Sequence, residues 1–160
     1  WHQSLNVDGF VMFSALGPDS LRELHALHER MQWGSPGLGM TDMHDWGDML
    51  LEAGFAQPVM DMEHITLTYP DAPSLLAELR TLGRNLHPHR FSGLRGKKWL
   101  ASLHQGLEQG LITPQSSGRL ALNFEVIYGH AFKATAKAFS SETTHISVED
   151  LRSQLPSQRK

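Results

Sequence analysis

Apolar and polar positions along the chain predict seven regular segments. Phe10-Val11-Met12-Phe13-Ser14-Ala15-Leu16 is a near-continuous apolar run. Its lack of alternation predicts a strand covered on both faces, as in a parallel α/β sheet. Gly17-Pro18-Asp19-Ser20 ends that strand, and Leu21, Leu24, Leu27 and Met31 then recur at helical spacing on one face. Residues 33–39 are a loop by composition. Thr41 or Asp42 caps the next helix, whose buried stripe is Met43, Trp46, Leu50 and Ala53. Gly54 stops it, and Phe55 is expected to fold back on its last turn.

From Pro58 to Tyr69 the chain reads as a strand whose pattern slips phase. Met60 and Met62 fall on even positions, whereas Ile65, Leu67 and Tyr69 fall on odd ones. A one-residue slip moves side chains to the other face, so a bulge or break is expected near Glu63-His64. A turn at Pro70–Pro73 opens a helix lined by Leu75, Leu76, Leu79 and Leu82 and closed by Gly83. After a polar loop over 84–96, a helix over 97–109 is expected to bury Trp99, Leu100, Leu103 and Leu107. The last strand is the clearest: Leu120, Leu122, Phe124, Val126 and Tyr128 alternate with Ala121, Asn123, Glu125 and Ile127. Beyond Lys133 a polar tail is expected, with a short helix possible over 146–155. The opening residues read as a helix end followed by a turn at Asp8-Gly9. No internal repeat is visible.

Composition narrows the classes. The 160 residues suffice for one domain with a core. Fourteen basic against 17 acidic residues argue against a nucleic-acid partner. With no cysteine, disulfides, thiolate metal sites and a cysteine nucleophile are excluded, and a cytoplasmic setting is expected. No apolar run approaches the ~20 residues of a membrane helix, so no membrane partner is expected. The chain starts at Trp1 rather than Met, and is read as beginning in mid-domain.

Four groups of residues then carry a resemblance. Leu5-x-x-x-Gly9-Phe10-x-Met12-Phe13-Ser14-x-Leu16-Gly17-Pro18-Asp19-Ser20-Leu21-x-Glu23-Leu24 resembles the fifth strand and following helix of class I S-adenosylmethionine (SAM)-dependent methyltransferases of the BioC type. Asp45-Trp46-x-x-x-Leu50-x-x-Ala53-Gly54-Phe55 is similar to the helix before their sixth strand. Thr66-Leu67-Thr68-Tyr69, a leucine-rich helix and Leu82-Gly83-x-Asn85 are similar to their inserted helical segment, and Leu120-x-Leu122-x-Phe124-Glu125-Val126-x-Tyr128-Gly129 to their last strand.

The resemblance covers roughly residues 5–133. It implies an α/β fold: part of a Rossmann-like class I methyltransferase, a three-stranded mixed sheet with an inserted helical segment. The last strand would lie in the middle, antiparallel to both neighbours. On this reading residues 1–69 are the C-terminal part of the core, 70–118 a helical lid on the substrate side, 119–133 the last core strand and 134–160 a mobile tail. The first strand is left as an open apolar edge, through which self-association is expected.

The implied activity is transfer of a methyl group from SAM to the free carboxyl of malonyl-acyl-carrier protein in biotin synthesis, with the carrier protein as partner. The same branch includes a protein described as an arginine hydroxylase. Another reaction on this scaffold, another carboxylic acid, or a non-enzymatic interaction module therefore stay open. The glycine-rich SAM loop of the family belongs upstream of Trp1. Gly34, Gly37 and Gly39 have no strand leading into them, so no cofactor-binding residue is expected here and the chain alone is expected to be inactive.

Ligands of open α/β sheets sit beyond the carboxyl ends of the strands. That places Asp19 and Ser20 near the substrate, or else as caps of the following helix. Arg84, Asn85, His87, His89 and Arg90 form the densest polar cluster, in the segment that the resemblance puts over the active site. An arginine suits a free carboxylate because its planar fork binds both oxygens. Arg84 or Arg90 is therefore expected to contact the substrate carboxylate or the carrier's acidic surface, with Asn85 beside them. No catalytic residue is named, since an ionised carboxylate attacking an activated sulfonium needs no general base. His25-x-x-His28, His87-x-His89 and His44-Asp45-x-x-Asp48 each lack further ligands, and no metal is expected.

Overall fold

Thirteen alternating residues, Leu120–Phe132, form the central strand of a three-stranded sheet in the computed structural model, which describes residues 1–135. With β1 Phe10–Leu16, β2 Ala56–Tyr69 and β3 Leu120–Phe132, the strand order is β1-β3-β2. Both ladders are antiparallel, so β1 and β2 run the same way and β3 against them. The helices are α1 Arg22–Arg30, α2 Met43–Glu52, α3 Ala72–Thr81 and α4 Lys97–Gly110.

Because side chains alternate across a strand, β3 serves two cores. Its even positions Leu120, Leu122 and Phe124 pack with Leu24 and Leu27 of α1, Leu75 of α3, and Leu103 and Leu107 of α4. On the opposite face, Ala131 packs with Leu50 and Phe55 at the end of α2, and with Val11, Phe13 and Met60. Leu75, Leu107 and Leu122 are fully buried, each worth about 1.5–3 kcal/mol relative to exposure.

This arrangement corrects several expectations. The strand buried on both faces is β3, not β1. Along β1 the even positions Phe10 and Met12 are 56% and 73% exposed, while Val11 and Phe13 face the α2 core. The phase slip in β2 is not a bulge at Glu63-His64, where pairing to Val126 and Glu125 is unbroken. The register shifts instead between Ala56 and Val59, at Gln57, whose φ is 51°. The apolar pattern changes phase because the covered face changes: Met60 lies against the α2 core, Tyr69 against the α3–α4 core.

Helix boundaries follow local chemistry. Asp42 and Asp71 cap α2 and α3 by accepting from the amides of Asp45 and Ser74. Gly54 ends α2 with φ 89°, and Phe55 returns to the core at 5% exposure. Ala53, Leu82 and Leu100, expected in the apolar stripes, are exposed. They sit at the margins of their stripes, where no second layer covers them. Near the start, a single 3₁₀ turn over His2–Ser4 replaces the expected helix end. The polar tail beyond 135 lies outside the described residues, as does the short helix expected within it.

Gly129 is one place where a missing Cβ matters, because the ring of Phe13 lies directly over it on the neighbouring strand. Gly129→Ala is expected to displace that ring and cost about 1–3 kcal/mol in urea-unfolding stability. It should also alter the near-ultraviolet signal of Trp46, which Phe13 touches at 5.0 Å between ring centroids. Gly37→Ala, with open space around it, should stay within about 0.5 kcal/mol.

Candidate functional site

The chain leaves β1 at Leu16 and turns through Gly17–Ser20 before α1. That turn is built on Glu125 of β3. The Gly17 amide donates to the Glu125 carbonyl at 2.9 Å. The Ser20 hydroxyl donates to the same carbonyl and accepts from the Glu125 amide, both at 3.0 Å. The Asp19 amide donates to the Glu125 carboxylate at 2.7 Å. Gly17 is required, because a Cβ there would meet that carboxylate at 2.5 Å.

Asp19 stands just beyond the carboxyl end of β1 and lines neither of the clefts described below. Its carboxylate is 3.3 Å from Arg22 and 3.7 Å from His64 Nε2. Ser20 is 2% exposed with its hydroxyl fully engaged, so it holds the turn and leaves a substrate nothing to bind. Neither residue caps α1. That helix starts from Leu21 in the left-handed region, and the Leu21 amide donates to the Asn123 carbonyl. The amides of residues 19–21 are all taken internally.

Asp19, His64 and Glu125 each offer a ligand atom within 4.8 Å of the others. Asn123, two residues along β3, is held by Glu23 of α1 and by Thr66. The sequence reading did not select Glu23, His64, Asn123 or Glu125. For Asn123 and Glu125 the signal was present, an amide and a carboxylate within an otherwise apolar strand. Glu125 and His64 are direct cross-strand partners, a pairing that only the register reveals.

The loop over 84–96 forms the other half of the site. Asn85 Nδ2 donates to the Ser35 carbonyl at 2.9 Å, and its Oδ1 accepts from the His87 amide. Arg95 Nη2 donates to the Trp33 carbonyl at 2.7 Å, while its guanidinium stacks on Phe91 and Trp99. Sequence reasoning missed Arg95, whose signal was its place between two aromatics. His28 adds a third tie through Nδ1 to the Gly34 carbonyl. Burial holds the His28 pKa below its ordinary value, against that hydrogen bond, with Arg95 adding to the lowering. Arg90 is exposed and turns back to the His87 carbonyl.

Between the two loops a cleft of about 290 Å³ opens at the carboxyl end of β1. Leu16, Leu24, Leu38 and Leu79 line it, with Arg84 and Asn85 on its wall. It is mostly apolar, and its cation Arg84 is exposed, with no ion pair or side-chain hydrogen bond among the described residues. An adjoining cleft of about 470 Å³ shares Leu38 and Met40 and contains Arg22 and His25. The structure thus groups Asp19 with Ser20, and Arg84 with Asn85. Arg90 does not line the Arg84 cleft.

The match to known sequences is extensive. Malonyl-acyl-carrier-protein O-methyltransferases from Gallionella capsiferriformans and Laribacter hongkongensis are 44% and 39% identical to it, over 82% and 86% of this chain. The chain is a relative of the malonyl-acyl-carrier-protein O-methyltransferases. It spans a little under half the length of these curated relatives, 44% and 45%. No family model matches. A solved Bacillus halodurans structure, titled as a methyltransferase, is a loose likeness: TM-score 0.47 at 14% identity, over 84% of this chain and 55% of that one.

The turn at Gly17 packs against the Glu125 carboxylate, whereas a Cβ at Gly37 or Gly39 would meet nothing within 4 Å.

Glu125→Ala removes the acceptor of the Asp19 amide and empties the space under Gly17. It is expected to cost about 1–3 kcal/mol in chemical unfolding, and to shift the Asp19 amide resonance. Glu125→Gln keeps an acceptor oxygen and should lose less. An Ala variant of unchanged stability would show that the turn does not depend on this carboxylate.

Proposed function

We propose that the chain is the substrate-side wall of a SAM-dependent O-methyltransferase that methylates the free carboxyl of malonyl-acyl-carrier protein. The wider setting of this proposal is biotin synthesis in the cytoplasm. The observation that carries it is the Arg84 cleft at the carboxyl end of β1, in a chain whose relatives bear that enzyme name. In this reading Arg84 takes the malonyl carboxylate, Asn85 fixes the loop that presents it, and Asp19 borders the strand end. Residues 70–118 act as a lid over the core formed by 1–69 and 119–133. The methyl donor is held by residues other than these, and the chain alone neither binds SAM nor turns over.

Titration of malonyl-pantetheine into the chain tests this. A charge-assisted contact worth about 1.5–3 kcal/mol predicts that Arg84→Ala weakens binding about ten- to a hundredfold. The methyl ester of the same thioester should not discriminate between the two proteins. Equal affinity of the wild type and the Arg84 variant for malonyl-pantetheine overturns the assignment, as does tight binding of SAM to the chain alone.

We also infer that the isolated chain self-associates through the free edge of β1, where Phe10 and Met12 are exposed. Light scattering should show a mass rising with concentration, and Met12→Lys should suppress it. A monomer at high concentration sinks the inference.

A further inference from the structure

Residues 79–107 contain six of the chain's 14 basic residues and none of its 17 acidic ones. The segment runs from the last turns of α3, through the 84–96 loop, into α4, so its charge gathers at one end of that helix pair. Arg95 is used internally, and Arg90 bonds back to its own loop. Arg80, Arg84, Lys97 and Lys98 make no ion pair and no side-chain hydrogen bond among the described residues, and all four are exposed. Lys97 and Lys98 also stand in the first turn of α4, the positive end of the helix dipole. Two cations there are a local electrostatic mismatch, of the kind found where a surface serves something outside the fold.

Between the cations stand large apolar side chains with no cover. Leu86 is 71% exposed, Phe91 57%, and Leu94 is fully exposed. Apolar anchors set among unpaired cations form an interface for a folded partner whose own face mixes carboxylates with apolar residues. A bare polyanion would use the charges and leave the anchors in water.

We propose that this surface, Arg80 with Leu86, Leu94, Lys97 and Lys98, docks the acidic face of an acyl-carrier protein at the mouth of the Arg84 cleft. The inference rests on the carrier-protein reading above, and deepens it by separating two jobs. Arg84 receives the small acyl group, while the surrounding surface recognises the protein that delivers it.

The test uses the intact chain and fluorescently labelled apo-acyl-carrier protein, which bears no prosthetic arm and no malonyl group. Anisotropy should report binding at low salt that weakens as salt rises. Lys97→Glu/Lys98→Glu should weaken it about tenfold or more. That variant improves the match to the α4 dipole, so its thermal midpoint should hold or rise. Leu86→Ser/Leu94→Ser should weaken binding several-fold with an unchanged circular dichroism spectrum. No binding to the apo carrier at low salt overturns the proposal, as does binding insensitive to both variants or equal affinity for duplex DNA. A wild-type chain that binds malonyl-pantetheine but not the apo carrier fails this inference alone; one that binds the apo carrier but not malonyl-pantetheine fails the cleft reading alone.

Discussion

The fold turns on Glu125. It stands in the central strand at 6% exposure, and its main chain and carboxylate together accept or donate four hydrogen bonds to residues 17–20. A buried carboxylate is costly unless it is bonded. Here the carboxylate accepts the Asp19 amide, while the main chain of Glu125 takes the Gly17 amide and the Ser20 hydroxyl, turn groups that would otherwise be buried without satisfaction. The demand is mutual, and it sets the exit angle of β1 into α1. With that angle fixed, Leu24 and Leu27 are delivered onto the same core as Leu75, Leu107 and Leu122. One wall of the cleft inherits its position from it: Leu16 ends the strand before the turn, and α1 after it carries the 33–40 loop.

The second wall is held differently. Nothing in residues 84–96 forms a helix or strand, so the loop keeps its place through a few directional contacts. Asn85 bonds Ser35, and Arg95 bonds Trp33 while stacking between Phe91 and Trp99. Both bonds end on main-chain carbonyls of the 33–35 segment, so two irregular loops brace each other. Partly desolvated charge-to-carbonyl bonds and cation–π stacking suit this task, because they fix direction as well as distance. Local opening of such segments is easier than opening of a packed strand, and a cleft between them can admit a ligand without disturbing the sheet.

Much of this was legible in the alternation itself. The seven segments, a cap at Thr41 or Asp42, the Pro70–Pro73 turn, the Gly54–Phe55 stop and the middle position of the last strand all follow from local chemistry or from the family resemblance. The misreadings share one cause. Periodicity reports which side of a segment is covered, but not by what. The near-continuous apolar run in β1 looked doubly buried, yet Phe10 and Met12 belong to an uncovered face. The phase slip in β2 looked like a bulge, yet it marks the passage from the α2 layer to the α3–α4 layer. Within the site, the Arg84–Asn85 pair stood out because a polar cluster in a loop is visible one residue at a time. The Glu125–Ser20 and His64–Asp19 contacts join residues separated by 105 and 45 positions, and only strand register brings them together.

The two kinds of charge in this molecule therefore do different work. Asp19, Glu23, Arg22, His64 and Glu125 form a group at the end of the sheet whose side chains are held within the fold, Asp19 by Arg22 and His64, Glu23 by Asn123 and Glu125 by the Asp19 amide. The cations of residues 79–107 are uncompensated, although the chain carries a net charge of -3 and has carboxylates to spare elsewhere. Solvent screening makes such separation tolerable, but it does not make it favourable. A surface that concentrates one sign against the sign of the whole molecule produces an oriented field. On the carrier-protein proposal, that field would point an acidic partner toward one end of the α3–α4 pair, the end where the Arg84 cleft opens. The proposed steering and recognition would then share one short stretch of chain, while the sheet that supports them is held by bonds that involve neither.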